Sequence, residues 1–188
     1  MGLFADLFRL ATMSMRKRKI FIIFGLFIIG AGLLFSAAQN VAAQELEKKG
    51  HTGLPLPRFV SLGSDEVNMR VGPGLKYPIS WVLEREGLPV EIIREFDVWR
   101  EIRLPDEERG WVHQSLLSGQ RTAMVERYVR LIYADPQIDA RPLAEIEPGV
   151  LVNVTSCKNK WCEVRVLNYS GWMEKTALWG VYTYDNFD

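Results

Sequence analysis

Cys157 and Cys162 flank Lys-Asn-Lys-Trp, and the two histidines of the chain are His51 and His113. A nucleophilic thiolate needs a histidine base at its side. His51 lies in a Gly/Pro-rich lead-in, "GHTGLPLP" (50–57), and His113 stands in a separate segment well upstream of both cysteines. Zinc requires more ligands than two cysteines supply. The spacing suits a disulfide instead, because positions facing each other across a hairpin turn come within bridging range and an exported chain permits oxidation. Simple alternation runs against it: Val150, Val152 and Val154 set Cys157 on the opposite strand face unless a bulge intervenes. A second apparent motif, "RVGPG" (70–74), lacks the Lys-Ser/Thr and the following helix of a phosphate-binding loop. Gly72 and Gly74 fit a tight loop whose turn is fixed by Pro73. These residues read as non-enzymatic, with no metal and no cofactor.

Binding is the chemistry that remains. Asn68 and Arg70 border the glycine loop, where they can meet an amide or a carboxylate, and the aromatic Tyr77 and Trp81 follow it. In "WREIRL" (99–104), Ile102 and Leu104 share one strand face while Trp99, Glu101 and Arg103 share the other. "WCEVRV" (161–166) divides in the same way. Parity therefore turns Trp99 and Trp161 away from the core, and Trp99 is the better candidate for the groove that Tyr77 and Trp81 would line. The plain alternatives are that Trp99 caps a barrel edge, that Tyr77 and Trp81 pack under the loop, and that Asn68 and Arg70 are solvated surface.

The elements that hold these residues come in two copies. "GWVHQSLLSG" (110–119) and "GWMEKTALWG" (171–180) place glycine and tryptophan alike. Gly87 to Trp99 spans 12 positions, as does Gly149 to Trp161; Trp99 to Gly110 spans 11 and Trp161 to Gly171 spans 10. Upstream, "VNMRVGPG" (67–74) falls over "VRLIYADP" (129–136) without a gap. Self-similarity of this kind marks tandem units. Short runs rich in Val, Ile, Trp and Phe alternate with Gly, Pro, Asp and Asn clusters, so the fold class is all-β, with two small barrels. A unit of about 60 residues is marginal alone and gains from packing on its neighbour.

On "NMRVGPG", the Glu86–Gly87 turn, the Trp99 strand and the closing "GWVHQSLL", residues 59–119 resemble a bacterial SH3-type domain. Residues 126–180 resemble a second, diverged copy that keeps the Pro148–Gly149 turn, Trp161 and "GW" but lacks "RVGPG". The resemblance implies a small β-barrel used for binding or targeting, often on exported cell-wall proteins, and it does not imply catalysis. Eukaryotic relatives of the barrel grip proline-rich peptides with a Pro and a Tyr; here those places hold His113 and Leu116, then Glu174 and Ala177, so that slot is incomplete. The expected organisation is a signal or anchor over 1–43, a linker over 44–57, a first domain over 58–119, a second over 125–181 and a tail over 182–188.

"RKRK" (16–19) precedes 19 uncharged residues, Ile20–Ala38, and then "VAA" (41–43). The layout fits a secretory signal cleaved after Ala43, or an uncleaved anchor over residues 20–38 with its N-terminus in the cytoplasm. Either places the rest in the periplasm or envelope, and membrane contact is confined to this segment. Beyond residue 43, the 18 basic residues are outnumbered by 22 acidic ones. A net charge of about −4 disfavours nucleic acid, which calls for clustered positive charge. With the family resemblance, the expected function is an exported envelope module, the resemblance implying recognition of peptidoglycan or its stem peptides, with an adaptor that binds another envelope protein as the alternative. The aromatic, acidic "VYTYDNFD" (181–188) either reaches a partner or packs on the second barrel.

Overall fold

Short alternating runs bounded by turn residues make strands almost everywhere. A computed structural model describes residues 48–188, and the signal-or-anchor reading of residues 1–43 lies outside them. A short ribbon pairs β1 (Lys48–Lys49) with β2 (Pro55–Leu56). The first barrel holds β3 (Arg58–Leu62), β4 (Val67–Arg70), β5 (Ile79–Leu83), β6 (Pro89–Phe96), β7 (Trp99–Arg103), β8 (Arg109–His113) and β9 (Leu117–Ser118). The second holds β10 (Thr122–Val125), β11 (Arg130–Tyr133), β12 (Pro142–Ile146), β13 (Leu151–Lys158), β14 (Trp161–Val166), β15 (Tyr169–Glu174) and β16 (Leu178–Trp179). Single 3₁₀ turns, Gln114–Leu116 and Lys175–Ala177, precede the last strand of each. The strand orders, β5-β4-β8-β7-β6-β3-β9 and β12-β11-β15-β14-β13-β10-β16, are one topology used twice.

Pairing partners fix the register between copies more finely than composition does. Met69 and Ile132, both fully buried, occupy the same place, so the gapless overlay of 67–74 on 129–136 is one residue out. That overlay matches buried Val67 to Val129, which is exposed. One residue is lost between β12 and β13, and a second between β14 and β15. The loop after β11 also keeps the fold of the glycine loop without its glycines. Val71 N–H donates to Pro78 O and Ala134 N–H to Arg141 O; Tyr77 N–H donates to Gly74 O and Ala140 N–H to Gln137 O.

Each barrel closes on an apolar centre: Val67, Met69, Val90, Ile92, Ile102 and Val112 in the first, Ile132, Val152, Val154, Val164 and Met173 in the second. The glycine of each "GW" allows a strand crossing that a side chain would block. A Cβ on Gly171 would lie 2.4 Å from the Tyr133 carbonyl oxygen; one on Gly110 would meet Met69 Cγ at 2.5 Å and the Arg70 carbonyl oxygen at 3.0 Å.

A β-bulge settles the cysteines. Pairing runs Val154↔Val164 and then Ser156↔Glu163, leaving Thr155 extra, and the first barrel does the same at Ile93. The extra residue resets the alternation. Cys157 thus joins Val152 and Val154 inside, bonded to Cys162 directly across the hairpin with Cα atoms 4.0 Å apart. The matching cross-strand pair in the first barrel is Glu95↔Arg100. The Glu95 side chain has no exposed surface; it accepts from Arg58 Nη2 at 2.6 Å and the Thr52 N–H at 2.8 Å, and lies 3.4 Å from Arg100 Nε. Replacing both cysteines by serine is expected to cost about 2 kcal/mol, the entropy of a short closed loop. Urea unfolding of the two proteins side by side measures it.

The barrels share a built seam. Ser61 Oγ and Thr122 Oγ1 are 2.7 Å apart, and Thr122 Oγ1 donates to the Gly87 carbonyl at 2.6 Å. Trp179 packs edge-on against Phe59 and lies under the Arg103 guanidinium. Arg103 donates to buried Glu91, which also accepts from Tyr182 Oη at 2.7 Å. Burial and the neighbouring Glu91 carboxylate push the Tyr182 hydroxyl far above its ordinary range, so it remains a donor. The tail packs back on the second barrel: Phe187 exchanges backbone hydrogen bonds with Cys157, and Lys175 donates to the carbonyls of Thr183 and Asp185.

Candidate functional site

Register lines up one strip across the outside of the first barrel. Arg94 pairs with Glu101, Glu101 with Trp111, Trp111 with Arg70, and Arg70 with Ile79. Inward Gly110 and Val112 leave Trp111 facing out, because neighbours on a strand point to opposite faces. The Arg94 guanidinium stands 5.7 Å from the Trp111 ring centre and is bidentate on Glu101. That hydrogen bond, with the charge of Glu101 behind it, raises the Arg94 pKa further, so the group is a fixed cation. Its side chain is 61% exposed, whereas that of Glu101 is 10% exposed. The strip therefore offers solvent a cation over an aromatic face.

The strip runs into the 71–78 loop. Arg70 Nη1 donates to the Tyr77 carbonyl at 2.8 Å and the Leu75 carbonyl at 3.4 Å, so Arg70 braces the loop. Tyr77 lies against Gly72, where a Cβ would stand 2.6 Å from its ring. Lys76 Nζ sits 5.3 Å from the Tyr77 ring centre. Val71 and Leu75 are exposed in the loop, as are Ile79, Trp81 (54%) and Val82 on β5, the edge strand.

The structure therefore brings Arg70 and Tyr77 together. Asn68, paired with Val82, shares the outer face with Arg70, whereas Trp81 pairs with inward Met69 and stands on the other face of β5, exposed because β5 is an edge strand. Trp99 requires a correction. Parity does keep it out of the central cluster, but only 8% of its surface is exposed, because the His113 ring stands edge-on against it at 5.6 Å. Its ring is thus mostly covered, with little face left to offer a ligand. Trp161 is buried in the same way against Tyr133. The sequence reading passed over Trp111, Arg94 and Lys76; the alternation of "RGWVH" alone was enough to turn Trp111 outward. Across the matching strip of the second barrel stand Ser156, Glu163, Trp172 and Tyr133, without either arginine. Among the described residues no cluster of three or more His, Cys, Asp or Glu could hold a metal. Nor is any described helix long and apolar enough to cross a membrane.

The family described as Bacterial SH3 domain matches residues 63–119 and 130–180, together more than half of the chain. The chain belongs to this family. Both bacterial SH3 copies carry the same strand order, and the second keeps its family match although it lacks "RVGPG". The chain is 24% identical over 123 residues to YrvJ of Bacillus subtilis (strain 168), a candidate N-acetylmuramoyl-L-alanine amidase; the match takes in 60% of this chain and 24% of YrvJ. It thus spans about a quarter of the length of that relative. Among solved structures, NlpC2 from Trichomonas vaginalis is 14% identical with a TM-score of 0.33, over 69% of this chain and 50% of that one. An NlpC/P60 family protein from Bacillus cereus ATCC 10987 is 12% identical with a TM-score of 0.29, over 64% and 55%.

Proposed function

We propose that the chain is an exported, non-enzymatic module of the bacterial cell envelope whose first barrel recognises the peptide stems of peptidoglycan. The observation that supports this reading is the strip Arg94–Glu101–Trp111–Arg70, which ends at the loop of Lys76 and Tyr77. Exposed Lys76 suits a carboxylate of a short peptide, and the Trp111 face with Arg94 beside it suits its aliphatic and carbonyl parts. The second barrel has lost both arginines and serves as a packing partner. Membership of the bacterial SH3 domain family supports a binding role, and the likeness to YrvJ supports the wall, since N-acetylmuramoyl-L-alanine joins glycan to stem peptide there.

Retention on purified sacculi tests this with the full chain in mild detergent. Lys76→Ala and Arg94→Ala, both at exposed positions, are each expected to lower retention about fivefold or more, the size of one good charged contact. Wild-type protein that washes off, beside a wall-binding control that stays, removes the reading. One observation favours a second: β5 is an edge strand with Ile79, Trp81 and Val82 exposed, a surface that accepts a strand from another protein. A crosslinked envelope partner lost in Trp81→Ala, with no sacculus binding, selects that adaptor.

A further inference from the structure

A cavity apart from the strip is built wholly from residues outside the two family-matched ranges. Leu54, Pro55 and Pro57 of the lead-in, Phe59 of β3, Arg121 of the connector, and Tyr182, Tyr184 and Asp185 of the tail enclose about 350 Å³. That lies at the lower end of the range for small-ligand sites. Apart from Arg58 and Phe59 on β3, its lining comes from the lead-in, the connector and the tail, so a ligand here is additional to anything the strip bears.

The lining specifies the ligand's chemistry. Three rings form a continuous ladder: Phe59 and Tyr182 have centres 4.7 Å apart, and Tyr182 and Tyr184 stack at 4.9 Å with planes 8° apart. The outermost ring, Tyr184, is 73% exposed. The facing wall of Leu54, Pro55 and Pro57 is apolar, and its prolines have no N–H to give. Both arginines are already matched: Arg58 holds Glu95 at 2.6 Å, while Arg121 holds Asp185 at 3.5 Å and covers the Phe187 ring. With each cation compensated, the groove does not call for an anion. The Arg121–Asp185 pair instead sets a donor and an acceptor side by side at the edge of an aromatic platform. A neutral ligand with an apolar face and a rim of hydroxyls satisfies all of this, and a pyranose ring has that form.

We infer that this groove binds a neutral glycan chain, one sugar face lying on Tyr184 and hydroxyls meeting Arg121 and Asp185. Taking that glycan to be N-acetylated rests on the cell-wall reading above. The module would then hold glycan and peptide at separate places.

The test titrates the full chain in detergent with a soluble β-1,4-linked tetramer of N-acetylglucosamine, by calorimetry, beside Tyr184→Ala, Tyr184→Phe and Trp81→Ala. The expected result is saturable binding that weakens about tenfold in Tyr184→Ala, the size of one aromatic stacking contact, and persists in Tyr184→Phe and Trp81→Ala. Near-UV circular dichroism checks that each variant is folded. Binding with that profile upholds the groove even where sacculus retention fails. A wild-type chain that does not bind the tetramer overturns it, as does a folded Tyr184→Ala that binds like wild type. A stem tetrapeptide that binds in a Tyr184-dependent way while the sugar does not also overturns it.

Discussion

Replacing Glu95 by alanine lowers the stability of the first barrel by about 3 kcal/mol, the usual penalty for stranding buried charge. Arg58 and Arg100 both lose their carboxylate, and Arg100 is itself buried, so neither can recover water cheaply. The Thr52 N–H and hydroxyl lose their acceptor too, which frees the lead-in from the barrel. The pH dependence separates charge from shape. Burial drives the Glu95 carboxyl upward, but the Thr52 N–H, Arg58 and the Thr52 hydroxyl outweigh it and hold it below the usual carboxylate range. Folding thus favours the ionised form. Its contribution is complete above the unfolded-state value, about pH 4.3, and is lost as pH falls through the lower folded value. Urea midpoints followed from neutral pH into this acid range are expected to fall less steeply in Glu95→Gln than in wild type. Identical acid limbs in the two proteins contradict the assignment.

Gly171→Ala is expected to cost the second barrel roughly 3 kcal/mol, the upper end for forcing a group into a packed site. The added methyl would stand 2.4 Å from the Tyr133 carbonyl oxygen, 2.7 Å from Ile132 Cγ2 and 2.9 Å from Leu143 Cδ1. The first of these is backbone, held where β11 crosses β15, so relief requires the crossing itself to open. Gly110→Ala in the first barrel is expected to cost less, because its nearest neighbour is the flexible Met69 side chain. Gly119→Ala, which has open space at its Cβ, serves as the control and is expected within about 0.5 kcal/mol of wild type. Thermal unfolding of the three variants gives the order directly, and a Gly110 variant weaker than the Gly171 variant contradicts it.

The repeat was legible because turns at fixed intervals survive divergence. Gly87 and Gly149 both need positive φ (76° and 83°), so that pairing of turns is visible in composition. The slip between β14 and β15 shows in the spacing of Trp99–Gly110 against Trp161–Gly171, but the one between β12 and β13 falls inside a connection, where length varies without a pattern, and strand pairing together with the burial of Met69 and Ile132 locates it. Alternation tells which way Trp99 faces; it is silent on the His113 ring that covers it. It fails at Cys157 for a related reason, since the bulge at Thr155 inserts a residue that no periodicity announces. The strip through Arg94, Trp111 and Arg70 is assembled from three distant segments, and register between strands is a property of the folded sheet. Tyr77 and Arg70 could be picked out because they border one local loop.

One cross-strand position is fastened by a carboxylate in one copy and by sulfur in the other. A reductant therefore tells the two barrels apart: it leaves the first barrel's fastener in place and opens the second's. The tail is held at that same hairpin, through the backbone pairing of Cys157 with Phe187, so its hold on the second barrel follows the oxidation state of one bond.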